Sequence, residues 1–372
     1  MSCMEFKILT NTGVDNNEWE KILNHLSQEF RDIHYLPEYG RIYKQTYDQE
    51  PFLAYYGNDD EFILQTFVKR RLNDLPFLMK QNIVEKYYDI ANPYGYGGPI
   101  INAHSEKMSI KLYREFNNYF KNYCQEMGFA SEFCSLHPLL ETQNIILKTG
   151  EIPVKEEKQI VYIDLSLTEE QIYKNINRGH KSGINKAREC GVKVVKVEPT
   201  DMNFNHFCSL YYETMRRNNA AERWFFPKNY FYNCYSNLGE DNLSLFFAMF
   251  DTSIVSAYML IHYGDTVYYH FGASNDAFFY LRPNNLMMFE TALWSKRNGF
   301  LKYHLGGGIT SREDDNLFRF KSGFSKDKKT LYSYHRIHNA DVYERLCLLK
   351  KEYEISENGM EIESSFFPMY RR

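Results

Sequence analysis

Nowhere in its 372 residues does the chain stay apolar for the roughly 18 positions that a membrane-crossing helix requires. The first residues, MSCMEFKILTNTG, also lack the apolar stretch of an export signal, so the sequence predicts a cytoplasmic protein. An excess of basic charge is missing too. With 44 Lys and Arg against 48 Asp and Glu, the net charge is −4, and any contact with nucleic acid must come from a local patch. The seven cysteines (Cys3, Cys124, Cys134, Cys190, Cys208, Cys234 and Cys347) form no Cys-x-x-Cys pair and no Cys/His cluster at zinc spacing. Such an odd, scattered set predicts reduced thiols and implies no metal. The G-x-S-x-G elbow, H-E-x-x-H, the G-x-x-x-x-G-K-[ST] loop and a G-x-G-x-x-G after a strand are all absent. Hydrolase triads, zinc proteases, P-loop NTPases and dinucleotide enzymes therefore lose support.

Aromatic residues are abundant, 17% of the chain with 31 Tyr and 28 Phe; a low-GC genome accounts for this better than function does. The length suits two domains. Apolar spacing predicts a helix over 17–30, strands at 52–56 and 61–69 around a Gly57-Asn58-Asp59-Asp60 turn, a helix from Ser105 to about 127, and a strand at 130–136. The second half repeats the order. Strands at 244–250 and 253–262 flank an Asp251-Thr252 turn, a strand follows at 266–272, a helix runs over 284–297, and a strand at 300–305 ends the series. Hairpin, strand, helix, strand thus occurs twice, which predicts an internally duplicated α+β unit. The join falls near 150–160, where a Lys155-Glu156-Glu157-Lys158 charge run interrupts the pattern.

Two segments of the second half carry chemistry. Tyr303-His304-Leu305 runs into Gly306-Gly307-Gly308, crosses a loop with Asp314 and Asp315, and re-enters an aromatic stretch with Lys321 between Phe320 and Phe324. Glycines let backbone approach a ligand, and a lysine among aromatics is expected to pack its stem and present its ammonium. The competing reading is a glycine turn followed by an edge strand with a solvated lysine. The other segment, 168–190, reads as one helix with Thr168 as cap and Gly191 as stop. It gathers Ile172, Ile176, Ile184 and Ala187 on one face and Lys174, Arg178, Lys181 and Arg188 on the opposite one. One-signed clustering favours phosphate binding over ordinary solvation. Gly179 and Gly183 mark a break where a ligand could approach.

The duplicated units, the run Asn177-Arg178-Gly179-His180-Lys181-Ser182-Gly183, the Tyr303-to-Gly308 strand and the Phe320-Lys321-x-Gly323-Phe324 signature resemble the Fem-type peptidyltransferases, with tandem GNAT-like (GCN5-related acyltransferase) domains. The resemblance implies two such domains, each a mixed or antiparallel twisted sheet flanked by helices. The first, on the acceptor side, would span 1–155 and the second 156–340, with 341–372 packing back on the first. It implies transfer of an amino acid from aminoacyl-tRNA to an amine of a cell-wall or surface-polysaccharide precursor bearing phosphate, by a protein at most peripheral to the inner membrane face. No cofactor is implied beyond the aminoacyl-tRNA co-substrate. Lys321 matches the family lysine that holds the acceptor's diphosphate and stabilises charge near the reaction centre. Arg178 and Lys181 fall in its basic helix, and Tyr94 and Tyr96 lie where acceptor-binding aromatics are found.

The expected site joins Lys321 and Asp315 as catalytic residues with Arg178, Lys181, Tyr94, Tyr96, Gly307, Gly308 and Phe320 as substrate-binding residues. Asp314 or Asp315 would orient or deprotonate the amine. An acyl-CoA-dependent N-acyltransferase acting on an amino sugar or polysaccharide is the second reading. It is disfavoured because the segment 274–285 lacks the glycines that cradle a pyrophosphate at a helix start. A non-catalytic sugar-nucleotide-binding protein is the third.

Overall fold

Alternating side chains along 62–71 bury Phe62, Leu64, Thr66 and Val68, and the intervening Ile63, Gln65 and Phe67 as well, so this strand is covered on both faces. Strands of this kind build both units of the computed structural model, which describes residues 3–81, 83–360 and 366–371. Unit 1 comprises Met1–Leu26, His34–Glu156 and Leu331–Arg372, and unit 2 comprises Ser27–Ile33 and Glu157–Thr330.

In unit 1 the strands are β1 (Glu5–Thr10), β2 (Glu50–Gly57), β3 (Phe62–Arg71), β4 (Tyr88–Ala91), β5 (Ile100–Asn102) and β6 (Ser131–Ser135). The β2–β3 hairpin turns on Asn58, whose Oδ1 accepts from the N–H groups of Asp60 and Glu61. β1, β2, β3 and β4 pair antiparallel in succession, β4 pairs parallel with β6, and β5 pairs off the path with β3. The Glu106–Glu126 helix crosses over between them. Ser105 caps it through the Met108 N–H, and Leu112, Phe116, Phe120 and Cys124 form its buried stripe.

Unit 2 supplies β7 (Val154–Asp164), β8 (Lys193–Val197), β9 (Leu243–Phe250), β10 (Ser253–Tyr263), β11 (Thr266–Ser274) and β12 (Lys302–Gly306). β8, β9, β10 and β11 pair antiparallel, β11 pairs parallel with β12, and β12 pairs antiparallel with β7. The crossover helix is Pro283–Arg297, buried over most of its length, with Leu286, Met287, Met288, Ala292 and Leu293 among sheet and helix residues. Burying each such side chain contributes about 1.5–3 kcal/mol. The last strand, β13 (Lys328–Ile337), pairs antiparallel with β6 of unit 1.

The two units therefore have one strand order, four antiparallel strands, a parallel neighbour after a helical crossover, and a closing antiparallel strand. This is the duplicated α+β class that the order of elements predicts. The closing strands are exchanged in chain order: β7, which comes after β6, closes unit 2, and β13, which comes after β12, closes unit 1. The units accordingly part at 156/157 and 330/331, whereas the sequence places its joins at 155/156 and 340/341. The later join moves because β13 hydrogen-bonds to β6.

Other elements differ from expectation. The helix predicted over 17–30 occupies Gly13–Asn24, and Phe30 lies in a separate 3-10 turn, because only Trp19, Ile22 and Leu23 share its buried face. Within unit 1 the helix Ala340–Asn358 brings Tyr343 and Leu346 against Phe77, Leu78 and Tyr370. Asp89, fully buried, receives Arg70 through Nε and Nη2, both at 2.9 Å, and Arg371 through Nε at 2.6 Å and Nη2 at 2.8 Å. Burial would push its carboxyl up, but the two guanidiniums outweigh that and hold it below the ordinary range. Replacing Asp89 with Ala leaves two largely buried guanidiniums facing each other. Urea denaturation is expected to show a loss of about 3–5 kcal/mol.

Candidate functional site

The parallel pairing of β11 with β12 covers only Thr266–Tyr268 against Lys302–His304. β11 continues to Ser274 on its β10 side, while β12 bulges against β7 between His304 and Gly306 and leaves the ladder. The glycine run begins there. Gly306 has φ +77°, a conformation that disfavours any side chain. A Cβ on Gly307 would come within 2.8 Å of the Gln159 carbonyl, and one on Gly308 would collide with the Asp315 carboxylate.

Having left the ladder, the loop is held by two lysines. Lys321 Nζ donates to the Gly307 carbonyl at 2.9 Å, and Lys158 Nζ, from β7, donates to the Gly308 carbonyl at 2.7 Å. Lys321 is 6% exposed, and its Nζ lies 5.3 Å from the centroid of the Tyr269 ring. Burial first, and then the positive charge of Lys158, lower its pKa from 10.5 to about 7, against a smaller opposing effect of Asp315. Lys158, half-buried, is lowered in the same direction by burial. In place of the edge strand of the competing reading there is a short helix, Asn316–Ser322, which turns Lys321 inward. The ammonium as well as the stem is enclosed.

Asp315 caps that helix. Its Oδ1 accepts from the Leu317 and Phe318 N–H groups at 3.0 Å each, and its Oδ2 from the Thr310 N–H at 3.0 Å and hydroxyl at 3.1 Å. Burial would raise its carboxyl, but these donors outweigh burial and hold it below the ordinary range, so it would accept a proton poorly. Asp314 pairs on the surface with Arg312.

The single helix expected over 168–190 is two, Glu169–Asn175 and Arg178–Glu189. The break falls at Ile176-Asn177, because Asn177 caps the second helix through the His180 N–H at 2.8 Å. His180 then joins this helix to the lysine's helix. Its Nε2 lies 2.7 Å from the Phe320 carbonyl oxygen, and its ring packs on Phe320 and Phe324 at 5.1 and 4.5 Å. Burial lowers its pKa, which favours the neutral ring donating to that carbonyl. A Cβ on Gly323 would strike both His180 and Asn177, and the Asn177 N–H bonds the Gly323 carbonyl at 2.8 Å. The Phe-Lys-x-Gly-Phe signature and the basic segment are thus two halves of one packing unit.

Of the expected residues, Lys321, Asp315, Gly307, Gly308 and Phe320 come together. Arg178 sits exposed two residues before His180. Lys181 turns away: its Nζ donates to the Lys174 carbonyl at 2.9 Å and lies over the Tyr173 ring, at the C-terminal end of the first helix where a cation is favoured. Tyr94 and Tyr96 belong to unit 1. Tyr39 donates to the Tyr94 carbonyl at 2.6 Å, and the Tyr96 ring packs edge-on against His34 and His137, both at 5.4 Å. Nothing in the sequence singles out Lys158 or Tyr269. Lys158 sits in a mixed charge run, and only the pairing of β7 with β12 reveals its place.

Residues 174–322 match the family model described as an acetyltransferase (GNAT) domain. No curated protein matches the sequence. Among solved structures, FemX aligns with TM-score 0.69 at 15% identity, covering 92% of this chain and 99% of its own. L-PGS from Bacillus licheniformis aligns with TM-score 0.53 at 11% identity, covering 89% and 95%. A tandem GNAT protein from the clavulanic acid biosynthesis pathway gives 0.52 at 6%, covering 90% and 99%. At such identities the likeness is one of fold: the chain has the tandem GNAT-like fold that FemX has.

Replacing Gly323 with Ala forces His180 and Asn177 apart, and thermal unfolding should register a loss of about 1–3 kcal/mol. The Lys321 pKa, about 7 when folded against the usual 10.5, means that the unfolded chain binds more protons between these values. Stability contributed at this position therefore rises with pH across that window, and the burial penalty is complete below it. Melting temperatures should show the wild type gaining on Lys321→Met from pH 7 to 10.5; parallel profiles would contradict the depressed pKa.

Proposed function

We propose that this protein is an acyltransferase that moves an amino acid from aminoacyl-tRNA onto an amine of a cell-wall or surface-polysaccharide precursor. The observation that carries the reading is Lys321, an enclosed lysine with a pKa near 7, bound to a glycine loop where β11 and β12 part. Aminolysis of an ester needs a neutral amine, help for the leaving oxygen, and donors for the oxyanion. At neutral pH Lys321 populates both protonation states, so it can take the proton released by the attacking amine and return one to the departing hydroxyl. The ester is already activated, and alignment supplies much of the remaining rate. Arg178, exposed beside the anchored His180, is the residue offered to phosphate oxygens. Asp315 serves this site by holding the loop.

The fold shared with FemX supports the Fem-type resemblance, and it is that resemblance which implies the aminoacyl-tRNA donor and the wall-precursor acceptor. Among the described residues no helix is long and apolar enough to cross a membrane, and a cytoplasmic protein meeting its acceptor at the inner membrane face fits the reading. The second reading, an acyl-CoA-dependent N-acyltransferase, is favoured by the GNAT domain match over 174–322. Against it, the crossover helix of unit 2 starts after a bulky 3-10 turn, Asp276–Leu281, with Arg282 rather than glycine in the left-handed conformation at its cap.

Incubation with tRNA charged with labelled amino acids and a wall-precursor extract should give labelled precursor, and RNase should abolish the transfer. Lys321→Met should lower it by at least about 10²-fold, the usual scale for losing a positioned acid–base group. Unchanged turnover in that variant would remove Lys321 from the reaction. Acetyl-CoA binding by calorimetry without tRNA-dependent transfer would favour the second reading.

A further inference from the structure

Lys158 has no part in the proton transfer assigned to Lys321, yet it mirrors that lysine. Two ammonium groups from different elements hold two consecutive carbonyls, those of Gly307 and Gly308, at 2.9 and 2.7 Å. A trans peptide is planar, so its N–H points opposite to its C=O. With the Gly307 carbonyl turned to Lys321, the Gly308 N–H faces away from that lysine. With the Gly308 carbonyl turned to Lys158, the Ile309 N–H faces away from Lys158. Among the described residues neither N–H has a protein acceptor; Ile309 is exposed to solvent, whereas Gly308 is buried. Buried N–H groups rarely go without a partner unless one is supplied by something other than the protein. The chain on either side is fixed as well, by the close approach of Gly307 to Gln159 and by the hold of Asp315 on Thr310.

We propose that Lys158 is a positioning residue which, together with Lys321, locks these two peptide planes so that the Gly308 and Ile309 N–H groups form a preorganised donor pair for a negatively charged substrate oxygen. Resting on the acyl-transfer reading, that oxygen is the carbonyl oxygen of the donor ester. The amine nitrogen bonds to the carbonyl carbon, the carbonyl π pair moves onto oxygen, and the two N–H groups hold the resulting oxyanion. The pair then returns as the bond to the ester oxygen breaks and that oxygen leaves with a proton. Donors fixed before charge develops need no reorganisation during the reaction. Lys158 acts on peptide orientation alone, Lys321 adds to that the proton transfer assigned to it, and the amides act on the oxyanion.

The test uses the full chain labelled with [15N]glycine and [15N]isoleucine and titrated with inorganic pyrophosphate as the oxyanion probe. The Gly308 and Ile309 amide signals of the wild type should shift. In Lys158→Met the response should fall at least about tenfold, and in Lys158→Arg, which keeps a donor at the carbonyl, it should recover. Where transfer is measurable, Lys158→Met should lower kcat about 10²-fold, the scale for losing an oxyanion donor, with little change in KM. Wild-type amides that stay still, or that move equally in Lys158→Met, overturn the proposal without reference to how the variant folds. Shifted amides in a protein that transfers no acyl group leave the donor pair standing and sink the proposed activity instead.

Discussion

The candidate site in unit 2 depends on how early the β11–β12 pairing stops. Parallel strands that stay together to their ends satisfy each other's backbone. Here the ladder ends after His304, and β12 must find new partners for its next carbonyls. Water could supply them in an open loop, but Gly308 is buried, so the protein has to supply them. Lys158 and Lys321 do so. Their enclosure then has an electrical consequence: burial first, and then the like charge of Lys158, bring Lys321 down to about 7, with Asp315 offsetting this in part, while at Lys158 burial is opposed by Asp315 and Glu157. A hydrogen-bonding deficit in the sheet is thereby converted into a titratable group at neutral pH.

A second tier keeps that arrangement in place. The lysine's helix is only two turns long and would be marginal alone. Asp315 fixes its start, and His180, between Phe320 and Phe324, fixes its end to a neighbouring helix. Gly323 is what lets the two approach. The basic segment therefore contributes differently from its charge pattern. Lys181 and Arg188 bind the protein itself, the latter through Glu290 at 2.6 Å, and Arg178 remains exposed. Steric fit at His180, more than summed positive charge, ties this helix to the site.

Much of this arrangement is legible in the sequence. Local periodicity exposes the repeated order of strands and helices, since hairpins with Asn58 or Asp251 at their turns and a Ser105 cap are short-range signals. The glycine run and the Phe-Lys-x-Gly-Phe segment stand out for the same reason. Their partners do not. Lys158 is one charge in a run of four, and its meaning depends on a strand nearly 150 residues away in sequence, seen in its bond to Gly308. The helix break at Asn177 is hidden because Asn in a polar run serves equally as cap or surface residue. The Asp201–Arg217 helix escapes the sequence reading although its signal is present: Thr200 caps it, and Phe204, Phe207, Tyr211 and Thr214 are its buried face.

The exchange of closing strands bears on how the molecule is made. A ribosome that has completed β6 has not yet supplied the strand that will pair with it; some 190 residues intervene between Ser135 and Lys328, on the order of ten seconds or more of synthesis. Until then unit 1 carries an open strand edge, the kind of surface that invites pairing with other chains. Cutting the gene between the two repeats would make that condition permanent. The smallest piece of this protein able to complete unit 1 therefore runs from β1 through β13, whereas the strands of unit 2 lie on one continuous stretch, and the similarity of the halves is no guide to where the chain can be divided.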